Sequence, residues 1–203
     1  IHQTDYFLNN EDDHDFTNYY WFRNGLTNEE VERADSLGIS GNLTDGLTGN
    51  KKDNLKNSKD LYKTRKSKIA WIYSNDKSAW LYNKFIYFTS VANKKMWDLT
   101  LVGMTEAIQY AQYDSNKSHY GYHLDLGKGR QVRRKISIVV QLSDPSEYEG
   151  GDLVFYTRST EKILPKEKGT VFVFPSFFLH KVTPVTKGLR KSLVAWVSGP
   201  AWK

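Results

Sequence analysis

His123 and Asp125 are separated by a single residue. In an extended segment, positions i and i+2 project to the same face, so one imidazole and one carboxylate can share a metal ion there. Taken alone, His-x-Asp also describes a hydrogen-bonded surface pair. His180 follows the mainly apolar segment Pro175-Ser176-Phe177-Phe178-Leu179, a setting in which a lone histidine is more often a satisfied core residue than a ligand. The chain has no cysteine, which removes disulfides, thiolate zinc sites and cysteine nucleophiles. A metal must then be held by histidine and carboxylate, a donor set that favours iron, manganese or catalytic zinc.

Arg190 gives His180 a context. The stretch from His180 to Arg190 reads as two strands joined by a turn at Thr186 to Gly188. A hairpin symmetric about Lys187 places Val194 opposite His180, with Arg190 about four positions, roughly 13 Å, away along the neighbouring strand. In that strand Arg190, Ser192, Val194 and Trp196 share one face, while Leu193, Ala195 and Val197 take the other. A guanidinium inside a β-structure is costly unless an anion pairs with it, and its planar fork suits a bidentate carboxylate. A surface arginine at a strand end is the competing reading.

These residues need elements to hold them. The aromatic run Tyr19-Tyr20-Trp21-Phe22 reads as a strand or packed extended segment. Thr27-Asn28-Glu29-Glu30 has the form of a capping box and predicts a helix through about Leu37. Residues 38–68 are rich in Gly, Asn, Ser, Thr and Lys without an apolar period, and form a long loop, a candidate lid. After the apolar run Ile69 to Tyr73, the spacing of Leu81, Phe85, Phe88 and Ala92 predicts an amphipathic helix over about 78–93, its stripe facing a core.

From there the composition becomes β. Segments at Ala107 to Tyr113, Tyr122 to Leu126, Lys135 to Leu142, Asp152 to Tyr156, Thr170 to Phe174, Leu179 to Val185 and Arg190 to Val197 follow one another between turn signals. About seven short strands with no helix between them imply a sandwich, jelly roll or barrel. Ile136, Ile138, Val140 and Leu142 alternate as one face of a half-buried strand. One domain is expected over 1–203, with an N-terminal segment at 1–68 and a helix plus β core at 69–203.

The ordered set His123-x-Asp125, Glu149-Gly150-Gly151-Asp152-Leu153, Gly169-Thr170 to Phe174-Pro175, and His180 with Arg190 ten residues later resembles the prolyl 4-hydroxylase-type 2-oxoglutarate/Fe(II) oxygenases. In particular it is similar to their bacterial and phage PKHD-type branch, over about 69–200. The resemblance implies a mainly β (α+β) fold: a double-stranded β-helix, or cupin-like jelly roll, flanked by N-terminal helices. It implies that His123, Asp125 and His180 form the iron triad, leaving coordination positions for 2-oxoglutarate and O₂, and that Arg190 pairs with the distal carboxylate of 2-oxoglutarate. It also implies that Tyr113 hydrogen-bonds the cosubstrate and that Trp196 lines the substrate side. Ser192 is a candidate for a further bond to the same carboxylate. The implied activity is C–H hydroxylation, with proline of a peptide or protein as target and ascorbate as reductant. A barrel interior lined by Tyr113, Phe172, Phe174 and Trp196 would exclude water.

Alternatives keep the oxidant and change the target to a free amino acid, a small metabolite or an alkylated nucleobase, or leave a non-catalytic cupin-like binding module. The formal charge of +6 raises the nucleic-acid option. Its positive runs, Lys51-Lys52, Lys63 to Lys68, Lys128 to Arg130 and Arg133-Arg134-Lys135, read as solvated loops, and between Leu189 and Pro200 only Arg190 and Lys191 are basic. Nucleic acid is therefore not the expected partner. No window is apolar enough to span a bilayer and Ile1 to Asp5 carries no signal character, so the expected location is cytoplasmic.

Overall fold

A computed structural model describes residues 6–7, 18–46, 64–157 and 159–201. The strands are β1 Tyr6–Phe7, β2 Tyr20–Phe22, β3 Thr44–Asp45, β4 Arg65–Lys66, β5 Lys68–Ile72, β6 Ile108–Asp114 and β7 His119–His123, then β8 Arg134–Gln141, β9 Tyr148–Gly150, β10 Leu153–Thr157, β11 Thr160–Ile163, β12 Val171–Pro175, β13 His180–Val182 and β14 Val185–Ser198. Helices α1, Asn28–Ile39, and α2, Ala79–Met96, both precede the main run of strands.

Two antiparallel sheets result. The larger runs β1-β2-β12-β8-β14-β6-β5-β3, with β9 added on β14, and the smaller runs β11-β10-β13-β7-β4. Each sheet must bury its apolar face, and the chain does so in two layers. One layer, including Ile136, Ile138, Val140, Leu193, Ala195 and Val197, packs beneath the helices; the other, including Ala111, Tyr113, Val139, Phe155, Phe172 and Phe174, lies between the sheets. This is the mainly β jelly roll that the sequence implies.

The helices follow their local signals. Thr27 Oγ1 accepts from the Glu30 N–H at 3.2 Å and the Glu30 carboxylate accepts from the Thr27 N–H at 2.9 Å, closing the capping box. On α2 the stripe Leu81, Phe85, Phe88 and Ala92 is buried; truncating one such phenylalanine to alanine would cost about 3–5 kcal/mol.

Four expectations need correction. The hairpin joining His180 to Arg190 does not form: β13 belongs to the smaller sheet and β14 to the larger. Pro184 stands between them and has no N–H to continue a ladder. Its carbonyl accepts from the Gly151 N–H, and the Thr183 N–H is taken by the Asp152 carbonyl, so the chain crosses between sheets here. Consequently the residues opposite His180 are His123, on β7, and Phe155, on β10, while Val194 pairs with Val139 and Gln109. Second, β7 ends at His123, so Asp125 lies beyond the strand. Third, β8 is buried along its whole length, because Ser137, Val139 and Gln141 on its other face look into the protein and not into solvent. Fourth, the 38–68 loop contains β3 and β4. The rest of the proposed lid, 47–63, lies outside the described residues.

Candidate active site

β13 and β7 run side by side and set His180 and His123 directly across from each other, ring centroids 4.2 Å apart. Each ring is oriented by its own local backbone. His123 Nδ1–H donates to the Gly121 carbonyl and His180 Nδ1–H to the Phe178 carbonyl, both at 2.8 Å. With the proton held on Nδ1, both Nε2 lone pairs are free, the tautomer a metal ligand requires.

Asp125 reaches the same point by another route. Just past β7, its N–H donates to the Ser176 carbonyl at 3.0 Å and its own carbonyl accepts from Arg134 Nη1 at 3.1 Å. This pins the backbone so that the carboxylate oxygens lie 3.8 Å from each histidine Nε2. Ser137 Oγ donates to Asp125 Oδ2 at 2.6 Å and sits 2.9 Å from Ser176 Oγ. The three ligand atoms lie within 4.8 Å of one another.

The electrostatics agree with a metal centre. Burial, reinforced by neighbouring His180, pushes the His123 imidazole down to about 3, so it is neutral at ordinary pH. Burial alone would raise Asp125, but the two imidazoles, the Ser137 hydroxyl and Arg134 outweigh it and hold the carboxyl below its usual value. Two imidazoles, each with its Nδ1 held by a backbone carbonyl, and one carboxylate form the donor set of a facial triad, which fits Fe(II).

The triad opens onto a cavity of about 610 Å³ between the sheets. On the larger sheet, Arg190, Ser192, Val194 and Trp196 all line it, whereas Leu193, Ala195 and Val197 are in the opposite layer, as alternation along β14 predicts. Arg190 is 1% exposed. Its Nη2 donates to Gln141 Oε1 at 2.9 Å and its Nη1 to Ser192 Oγ at 3.3 Å, while among the described residues Nε makes no close hydrogen bond. Among the described residues no carboxylate pairs with this buried cation. Tyr113, its register partner on β6, places its ring 5.3 Å from the guanidinium carbon and also lines the cavity. Gly151 fits against the arginine stem: with φ of +62°, a Cβ there would stand 2.9 Å from Arg190 Cδ.

Phe172 and Phe174, expected on the cavity wall, pack between the sheets behind it, Phe174 meeting His180 edge-on at 5.1 Å. Other residues do surround the site without having been singled out. Tyr120 stacks on His123 at 3.4 Å and 11°. Arg134 forms a two-pronged ion pair with Glu106, at 2.7 and 2.6 Å, and lies 3.6 Å over the Trp196 ring. Arg65 is buried beside Tyr120. The basic runs holding Arg65 and Arg134 are therefore not wholly solvated loops. The one available signal was strand parity at Ser137 and Gln141, polar residues on the second face of an apolar strand.

Residues 108–198 match the model of the 2OG-Fe(II) oxygenase superfamily. A PKHD-type hydroxylase of Prochlorococcus marinus is 30% identical over 169 residues, covering 83% of this chain and 70% of that protein. One from Thermosynechococcus vestitus is 45% identical over 82 residues, 38% of this chain, and there the match spans only 37% of the relative's length. A prolyl hydroxylase from Trichoplax adhaerens, solved with a hypoxia inducible factor oxygen degradation domain peptide fragment, superposes with a TM-score of 0.71 at 18% identity, over 90% of this chain and 84% of that one. The chain belongs to the 2OG-Fe(II) oxygenase superfamily, and both of these relatives are PKHD-type hydroxylases. The cofactors of that family are Fe(II), 2-oxoglutarate and O₂.

Proposed function

We propose that this chain, acting as a single domain, is a dioxygenase that hydroxylates a prolyl residue of a peptide or protein while converting 2-oxoglutarate to succinate and CO₂. The observation that carries the reading is Arg190. A guanidinium 1% exposed that no carboxylate among the described residues pairs with is costly to bury, a cost that a small anion entering the cavity offsets, and that cavity is the one the triad faces. When bound, Fe(II) and 2-oxoglutarate supply, with O₂, an oxidant strong enough for an unactivated C–H bond.

The protein's own residues hold and aim that chemistry. His123, Asp125 and His180 are assigned as the iron ligands, with Ser137 fixing the carboxylate. Arg190 takes the distal carboxylate of 2-oxoglutarate, helped by Ser192 and Tyr113. Trp196, held flat beneath Arg134, lines the substrate side. Tyr120 covers the face of His123 and keeps water off the ligand.

A peptide target is supported by the peptide-bound prolyl hydroxylase with the same fold and by the PKHD-type relatives. The test is succinate release from 2-oxoglutarate with Fe(II) and ascorbate, comparing wild type with His180→Ala, alongside mass spectrometry of proline peptides, free amino acids and RNA. Wild-type turnover abolished in the variant, with one oxygen gained on a proline peptide, is the expected result. Succinate without oxygen on any proline peptide would sink the proline assignment, and no succinate from either protein would sink the oxygenase assignment.

A further inference from the structure

The cavity holds a second arginine in the condition of Arg190. Arg65, on the two-residue strand β4, is 6% exposed and lines the cavity. Its Nε donates to Ser67 Oγ and its Nη2 to Gln109 Oε1, each at 2.8 Å. A guanidinium carries five N–H donors, so most of its capacity is unused by the protein, and among the described residues no carboxylate pairs with it. The other charges in the cavity, apart from exposed Lys128 and Arg130, are accounted for. Arg134 is neutralised by Glu106, Asp125 belongs to the triad, and Arg190 is assigned to 2-oxoglutarate.

Arg65 also stands on the metal side. Its guanidinium carbon lies 4.6 Å over the Tyr120 ring, and that ring stacks on His123. The pairing of β4 with β7 sets Arg65 opposite Tyr120. Exposed Lys128 and Arg130 extend the positive potential to the same cavity, which raises the local concentration of an anionic ligand. Glu106, the one other acid in the wall, is engaged by Arg134.

We propose that Arg65 receives a carboxylate of the substrate, so that the preferred target carries a negative charge next to the residue that is oxidised. The assignment rests on reading the cavity as an oxygenase site, but not on proline being the oxidised residue. Two cations that no carboxylate among the described residues pairs with then meet two different carboxylates: Arg190 that of the cosubstrate and Arg65 that of the substrate. The carboxylate comes either from an acidic side chain beside the target or from the target's own chain end.

Trp71 and Trp196 line the cavity, so intrinsic fluorescence reports occupancy. With Mn(II) in place of Fe(II) and 2-oxoglutarate present, short peptides with a central proline flanked by Glu, by Gln or by Lys are titrated, together with a neutral peptide ending in a free C-terminal proline. The Glu peptide is expected to bind about 10- to 100-fold more tightly than the Gln peptide, and the Lys peptide most weakly. If the C-terminal proline peptide is the tight one, the chain-end carboxylate is the partner. Arg65→Gln should collapse the ratio of acidic to neutral binding toward one and Arg65→Lys should restore part of it, a pattern that mere loss of packing would not give. Equal binding of charged and neutral peptides by wild type, or a ratio that survives Arg65→Gln, would overturn the proposal, as would Arg65-dependent binding of a single-stranded oligonucleotide in preference to every peptide. Acid-selective binding without oxygen gain on aerobic Fe(II) turnover would refute the proline reading alone; oxygen gain without acid selectivity would refute the role of Arg65 alone.

Discussion

Replacing Arg190 with methionine separates what the arginine costs from what it does. In the metal-free, cosubstrate-free protein the substitution removes a buried cation that lacks an anion, but it orphans Gln141 Oε1, which accepts from Nη2 at 2.9 Å. An unsatisfied buried acceptor costs about 1–3 kcal/mol, and relief of the isolated charge offsets it, so the unliganded melting temperature should move by only a few degrees. The response to ligand should change far more. Wild type at a 2-oxoglutarate concentration of about 100 times its Kd gains about 2.7 kcal/mol, which at about 2–4 °C per kcal/mol for a chain of this size is roughly 5–10 °C. Losing a buried charge pair weakens binding by about 2–5 kcal/mol, which leaves a shift of no more than about 3 °C at the same concentration. The assay is thermal denaturation of both proteins with Mn(II) alone and with Mn(II) plus 2-oxoglutarate. The Mn(II) shift should be equal in the two, since Arg190 touches none of the triad. A full 2-oxoglutarate shift in the variant would refute the anchoring role, and loss of both shifts together would mean the substitution had disturbed the whole site.

Ser137→Ala removes the hydroxyl that donates to Asp125 Oδ2 at 2.6 Å and should weaken Mn(II) binding about 10- to 100-fold; an unchanged affinity in a metal titration would show that Ser137 does not orient the ligand. The pH dependence follows from His123, whose folded value of about 3 lies below its ordinary 6.5. A depressed value means stability that is present above 6.5 and is lost as pH falls toward 3. The melting temperature of the metal-free protein should therefore decline from pH 6.5 to 4.5, and less steeply in His123→Gln; parallel slopes would contradict the shift.

The residue types of the site were legible in the sequence, and so was the face that Arg190 presents, because two-residue alternation along β14 is a local property of extended chain. What joined them was not. The partner of His180 is His123 on β7, a pairing set by sheet order, whereas the turn at Thr186 to Gly188 suggested a neighbour in sequence. Pro184 was the clue that the strand had to break. Arg65 and Tyr120 could not have been matched from the sequence, since β4 is two residues long, far from β7 in the chain, and set in a lysine-rich stretch that carries no strand period. Ser137 and Gln141 were visible as polar positions on an apolar strand, but whether that second face met water or a cavity depended on the sheet across from it.

Each histidine is steered by the carbonyl two residues before it, Gly121 for His123 and Phe178 for His180. Both guides are main-chain atoms, so no side-chain substitution at those positions removes them. The instruction that fixes which nitrogen meets the metal is thus carried by the path of the strand and leaves no letter in the sequence. Drift in the side chains at Gly121 or Phe178 would leave these two hydrogen bonds in place unless it bent the backbone, and a survey of side chains alone would find three candidate ligands and miss what aims two of them.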